Sequence, residues 1–350
     1  MKILKRILST TVLMSSLVLA TGCKEDSPVT NPPVNNTPTV IDRSGIAKGA
    51  DVSWLTKMES EGEKFYAPSG EQTECMQLLR DYCGVNAIRL RVWVDPEDGW
   101  NNMGDVLIKA RRANALGMRV MIDFHFSDTW ADPGDQNPPA AWADYDASQM
   151  CEAIKDHVST MMAALARYDI MPEWVQIGNE TTPGMLLPLG SVSDNPENFA
   201  AFVTTGYYAV KKYFPESKVI VHLDKGNDMW RYTRELEALK RYNGQYDMVG
   251  MSLYPDEDNW STYVDSMITN IETINSTYGK PVMLCEFGMH HSLGELCNNI
   301  LSNIMQRTAN LDFAGIFYWE PEAPSGYNNG YRKGCFENGT PTVALDAFKN

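Results

Sequence analysis

Eight short apolar runs recur along the chain, and each is followed by a stretch with helical periodicity. The runs cover 46–52, 85–94, 118–125, 173–179, 218–223, 247–252, 281–286 and 313–319. Helix-like stretches lie near 71–82, 103–116, 147–168, 196–213, 229–241, 260–277 and 293–308, with a last one near 342–348. In 103–116, Met103, Val106, Leu107, Ala110 and Ala113 or Asn114 follow the helical repeat, and Gly117 supplies a C-cap. Ile154, Val158, Met161, Met162 and Leu165 make a similar stripe. Strand alternating with helix implies right-handed βαβ units and a parallel sheet. Eight such units without a Gly-rich phosphate turn favour closure over a doubly wound sheet. The expected fold class is therefore α/β, a single (β/α)8 TIM barrel. Functional groups in such a barrel gather at the C-terminal ends of the strands.

The N-terminus reads as processing sequence. Lys2, Lys5 and Arg6 precede a mostly apolar segment, Ile7 to Ala20, that is short for a membrane span. Leu19-Ala20-Thr21-Gly22-Cys23 resembles a bacterial lipobox. Residues 1–22 are thus expected to be a lipoprotein signal peptide, Cys23 the lipid anchor, 23–42 a flexible tether and 43–350 the barrel domain. An ordinary secretory leader with an incidental Cys23 is the alternative. Lys24-Glu25-Asp26 resembles the acidic tag of surface-exposed bacterial lipoproteins, so the expected location is the outer membrane, on the cell surface. Loss of the leader removes three cations and takes the net charge from −15 to −18. That balance argues against nucleic acid and anionic headgroups as partners, leaves membrane contact to the lipid anchor alone, and suits a neutral glycan. Nine tryptophans and sixteen tyrosines supply rings of the kind that stack on pyranose faces.

The cysteines beyond Cys23 form no CxxC and no Cys/His metal pattern, so neither a metal nor a cofactor is expected. Cys285 reads as a packed thiol, and Cys297 and Cys335 are candidates for pairing across neighbouring loops, with connectivity left open.

The strand ends carry the chemistry. The fourth and seventh runs each close on a glutamate, in Trp174-Val175-Gln176-Ile177-Gly178-Asn179-Glu180 and Pro281-Val282-Met283-Leu284-Cys285-Glu286. Glycosidic cleavage needs two carboxyl groups facing one another across the anomeric carbon. Glu180 is read as general acid and then base, and Glu286 as a nucleophile, in a retaining double displacement. Glu286 is expected to stay ionised beside an arginine and a tyrosine, and Glu180 to hold its proton near neutral pH. Arg89 and Arg91 share a parity and point inward, where each needs carboxylate partners. The first strand ends with Asp51, and the third with a loop that contains His125, Asp128, Trp130 and Asp132. Asn179 is placed for a sugar 2-hydroxyl. Asp224 and Lys225 follow the fifth strand, Tyr254 ends the sixth with Trp260 beyond it, and Trp319 ends the eighth as a floor for the reacting sugar. All thirteen are expected to contact or orient substrate.

These segments resemble glycoside hydrolase family 53, the arabinogalactan endo-β-1,4-galactanases of the retaining clan A. The resemblance rests on Lys48-Gly49-Ala50-Asp51-Val52-Ser53, on Arg89-Leu90-Arg91-Val92-Trp93, and on the run from Asp123-Phe124-His125 through Trp130-Ala131-Asp132-Pro133. It continues through Val175 to Glu180, Ser252-Leu253-Tyr254-Pro255 and Phe317-Tyr318-Trp319-Glu320-Pro321. It implies endo-hydrolysis of β-1,4-galactan in the arabinogalactan side chains of pectin by a monomer, with galacto-oligosaccharides as products. A calcium-binding run carried by some relatives after the nucleophile is missing from Phe287 to Glu295, and the loop from Pro321 to Gly334 is short. No such calcium is expected, and product length stays open. The rival readings are another clan A hydrolase, such as a mannanase or cellulase, and a non-catalytic glycan-binding lipoprotein.

Overall fold

The computed structural model describes residues 40–349. The leader, Cys23 and the tether up to residue 39 lie outside the described residues. Eight parallel strands close into one barrel: β1 (Ala47–Asp51), β2 (Ala87–Val92), β3 (Arg119–Phe124), β4 (Trp174–Ile177), β5 (Lys218–Leu223), β6 (Met248–Leu253), β7 (Val282–Phe287) and β8 (Phe313–Trp319). Neighbours in the ring are neighbours in sequence, with β8 pairing back onto β1 through Ala47 to Asp51 against Gly315 to Trp319. Seven helices of nine or more residues lie between them: α1 (Cys75–Cys83), α2 (Met103–Ala115), α3 (Ala147–Ala166), α4 (Pro196–Tyr213), α5 (Met229–Arg241), α6 (Trp260–Tyr278) and α7 (Gly294–Thr308). The eighth unit closes on a 3₁₀ turn, Val343–Lys349, packed against α7. The TIM barrel read from the alternation is therefore the fold.

Local chemistry explains where the helices start and stop. The Asn102 side chain accepts from Asp105 N to begin α2, and Asp146 with Gln149 forms a capping box at the start of α3. Gly84 and Gly279 end α1 and α6 in the left-handed conformation.

Two cores result from the strand alternation. The helix-facing residues join the helices in one large cluster, whereas Ala47, Ala87, Met121, Trp174, Ile220, Met248, Met283, Cys285 and Phe317 plug the barrel interior. Gly49 has no side chain because the Phe317 ring fills that space; a Cβ there would come within 2.2 Å of it. Above this plug the inward positions turn polar, with Asp51, Arg89, Arg91, Asp123, Gln176, His222 and Ser252 all buried. The apolar plug thus sets the floor on which the site is built.

A β-bulge re-aims one residue of that polar layer. On β6, Met251 pairs with Leu284 and the next residue, Ser252, pairs with Glu286, so Cys285 is the extra residue. Met283 and Cys285 both face the barrel interior, and strict alternation would send Glu286 outward among the helices. The bulge turns it back to the barrel mouth.

Candidate active site

Arg89 is the hub of the mouth. Its Nη1 donates to Asp51 Oδ2 at 2.7 Å, and its Nε donates to Gln176 Oε1 at 2.7 Å. Its Nη2 meets Asp123 Oδ2 at 2.9 Å, Asn179 Oδ1 at 2.8 Å and Glu286 Oε1 at 2.9 Å. One planar guanidinium therefore ties β1, β2, β3, β4 and β7 together, which a point-charge ammonium cannot do. The other Glu286 oxygen accepts from the Tyr254 hydroxyl at 2.7 Å. Both oxygens of this carboxyl are thus fixed, and its side chain is 8% exposed.

Glu180 stands three strands away, just past β4. Its backbone is left-handed, with φ 46°, and Thr182 N donates back to Glu180 O at 2.8 Å across a tight turn. Phe126, Lys225 and Glu320, just past β3, β5 and β8, share that conformation. Non-glycine residues held there carry strain of roughly 1–3 kcal/mol, and such strain concentrates at functional sites. The Ser252 hydroxyl beside the Glu180 carboxyl draws its pKa down, against the effect of burial. The residue lines a cavity of about 970 Å³ together with Pro133, Asp224, Lys225, Tyr254 and Tyr263.

The two carboxyls differ in their surroundings. Burial pushes Glu180 well above the usual range, and the negative charge of Glu286 adds to it. Burial also raises Glu286, but Arg89 and the Tyr254 hydrogen bond pull it back down. Glu180 is therefore the group that keeps its proton to higher pH. Desolvation and the nearby carboxylates Asp123 and Asp51 leave Glu286 above the ordinary carboxylate value in spite of one arginine and one hydroxyl.

Several residues expected to touch substrate hold the site from behind. Asp51, Arg89, Arg91 and His125 are each no more than 3% exposed, and their polar atoms are directed into the protein. Arg91 Nη1 bonds Glu320 at 2.6 Å, while its guanidinium lies 4.5 Å from the Trp130 ring centroid and 5.4 and 5.5 Å from those of Trp54 and Trp93. His125 Nδ1 accepts from Trp93 Nε1 and Ala131 N, both at 3.2 Å, so its proton is on Nε2, donated to Asp123 at 3.0 Å. Asn179 is 5% exposed, its Nδ2 donating to Ala131 O. Asp128 accepts from Asp95 N and Ala140 N, joining two loops, and Asp132 is exposed and caps Gly134 N and Asp135 N. Asp224 is clamped by Arg231 at 3.0 and 3.1 Å, which among the described residues leaves the exposed Lys225 as the free cation in the cavity lining. Trp260 does not line that cavity. It packs against the main core at the start of α6, and Tyr263, one turn later, supplies the ring.

Trp319 meets Trp54 and Tyr331 at centroid separations of 5.1 Å, Trp130 at 6.0 Å and Tyr254 at 6.5 Å. It therefore borders the hydroxyl that holds Glu286. Asp123, Gln176, His222, Ser252 and Glu320 complete the network and were missed as site residues. Inward parity on strands already assigned was the available signal. The six described cysteines are free thiols, Cys297 and Cys335 among them, and both flank the Tyr318 hydroxyl.

Behind Arg91, burial raises Glu320 to about 7 and, with the charge of Glu320, lifts Glu322 well above the usual range. Raised carboxyls favour folding below the unfolded value near 4.5, and that contribution fades as pH climbs through the folded value. Glu322→Gln is therefore expected to raise the melting temperature by about 2–4 °C at pH 8 and to change it little at pH 5, as read by calorimetry.

The sequence model described as glycosyl hydrolase family 53 matches residues 47–341. The chain belongs to that family. It is 33% identical over 245 residues to an uncharacterised protein of Niallia circulans, covering 68% of this chain and 66% of that one. It is 32% identical over 309 residues to a probable arabinogalactan endo-β-1,4-galactanase A of Aspergillus fumigatus, covering 81% and 86%. Among solved structures, one of two fungal β-1,4-galactanases superposes with a TM-score of 0.80 at 26% identity, over 87% of this chain and 99% of that one. Family membership and the strand-end carboxyls of β4 and β7 point to the same chemistry.

Proposed function

We propose that this chain is an endo-acting, retaining β-1,4-galactanase that cuts the galactan side chains of pectin, with Glu180 as acid/base and Glu286 as nucleophile. The observation that carries the proposal is the unequal treatment of the two carboxyls. Glu286 is immobilised through both oxygens by Arg89 and Tyr254, as attack on carbon requires, and Glu180, which lines an open cavity, is raised by burial and by the charge of Glu286 so that it keeps its proton to higher pH. The galactan specificity is supported by similarity to galactanases over most of the chain. The lipobox and acidic tag support an outer-membrane anchor through Cys23 that presents the barrel, as a monomer, to glycan at the cell surface.

In the first half-reaction Glu286 attacks the anomeric carbon while Glu180 protonates the departing oxygen. Glu180, now ionised, deprotonates a water that cleaves the ester. Release of oligosaccharides from linear galactan, followed over time against mannan and cellulose, tests the reading. Short products appearing while long chains persist in shortened form is the expected pattern. Binding of galactan without cleavage would favour the non-catalytic reading, and a preference for mannan or cellulose would move the enzyme elsewhere in its clan.

The pH–rate profile has a defined sign. Activity rises as Glu286 loses its proton and falls as Glu180 loses its own. Both groups are raised, so the bell lies above the ordinary carboxylate range. Glu180→Gln is expected to lower kcat by about 10²–10⁴-fold and to erase the alkaline limb.

A further inference from the structure

A second cavity, of about 590 Å³, opens between the loops that follow β1, β2 and β3. Its size falls in the range of small-ligand sites, roughly 300–1,000 Å³. Four of the nine tryptophans line it: Trp54, Trp93, Trp100 and Trp130. Neither the catalytic carboxyls nor their immediate supports require Trp100. It stands half-buried on the β2 loop, with Trp100 N donating to Asp98 Oδ1 at 3.2 Å.

We infer that this cavity is a distal sugar subsite, on the non-reducing side of the scissile bond, that takes neutral galactosyl units of a longer chain. The inference rests on the galactanase reading above and adds to it a place and a polarity. Polarity follows from the acid. Glu180 must protonate the oxygen of the leaving group, so the leaving-group half of the chain lies in the larger cavity that Glu180 lines. The other half must run past Glu286 and away from Glu180. Rings mark that way out: Tyr254 meets Trp319 at 6.5 Å, Trp319 meets Trp54 and Trp130 at 5.1 and 6.0 Å, and Trp130 meets Trp93 at 5.3 Å. The second cavity begins where that series ends.

Its lining fits an uncharged pyranose. The half-buried rings of Trp100 and Trp130 provide the apolar platform, backed by the buried Trp54 and Trp93, and Asn328, Thr129 and Glu97 stand beside them as donors and acceptors. Lys57 is paired with Asp98 at 3.1 Å, so among the described residues the lining holds no free cation to receive a uronate, and Glu97 would repel one. The same ion pair joins the β1 and β2 loops and keeps the two walls in register.

The test uses the full chain and a series of β-1,4-galactosides of one to six sugars, each with a chromogenic leaving group at its reducing end. Trp100→Ala is expected to match the wild type on the shortest members. It should then lose about tenfold in kcat/KM once the chain is long enough to reach the ring, the scale of one lost aromatic contact. Tyr208→Ala, which removes an exposed ring on α4, should follow the wild type throughout. Equal loss at every length, or no loss at any length, would overturn the subsite. Failure of the wild type on the whole galactoside series, with turnover of the matching mannoside or glucoside series, would overturn the galactanase reading instead. The length dependence of Trp100→Ala would then be read in that other series.

Discussion

Glu286→Ala is expected to lower kcat on galactan by on the order of 10⁴-fold or more while leaving the fold intact, the scale of removing a nucleophile from a working catalytic set. The substitution deletes a raised, buried carboxyl, so it should not unfold the barrel even though Arg89 loses one of its partners. Arg89 keeps Asp51, Asp123, Gln176 and Asn179. Added azide distinguishes the proposed role from a merely structural one. With the nucleophile absent, azide can occupy its place and displace the leaving group once, giving a glycosyl azide of inverted configuration and partial recovery of turnover. Recovery with the β-configured azide would place Glu286 in the other catalytic role.

Arg89→Met has the second large effect, on stability and activity together. The guanidinium is 1% exposed and faces Asp51, Asp123 and Glu286 at 2.7–2.9 Å. Removing one partner of a buried ionic cluster costs about 3–5 kcal/mol, because the remaining charges stay buried without compensation. A domain of this size then melts roughly 6–20 °C lower. The charge of Arg89 also pulls Glu286 down against the effect of burial, so its loss should move the acid limb of the pH–rate profile to higher pH. Arg89→Lys should restore little, since three donors on a point charge cannot reproduce five contacts on β1, β3, β4 and β7. A melting scan together with the pH profile checks both halves.

The barrel was legible because eight apolar runs with intervening helical stripes admit few packings, and the helix limits at Pro196–Tyr213 and Met229–Arg241 agree with the periodicity. The inward arginines were legible for a simple reason: two charges of one parity within an apolar run must meet carboxylates. Glu180 and Glu286 were legible by type and place. The way Glu286 reaches the mouth was not, because a bulge at Cys285 breaks the period of two and depends on pairing with β6 and β8. The left-handed turn at Glu180 was hidden for a similar reason, as it depends on hydrogen bonds from Glu180 N and Thr181 N to His222 on β5. Trp260 is half-buried on the first turn of α6 and packs against the core, while Tyr263 one turn later lines the cavity, a matter of helix phase that composition does not give. Asp51 and His125 carried the right chemistry, but their depth was invisible. Burial turns them from sugar contacts into supports.

The central claim is that Glu286 is a nucleophile and Glu180 its acid/base partner, so that configuration is kept over two displacements. Proton NMR of the first product released from a galactan oligosaccharide, taken before mutarotation, tests it directly. The β-anomer appearing first is the predicted result. The α-anomer appearing first would mean a single displacement by water, with Glu286 acting as a base, and would contradict the account.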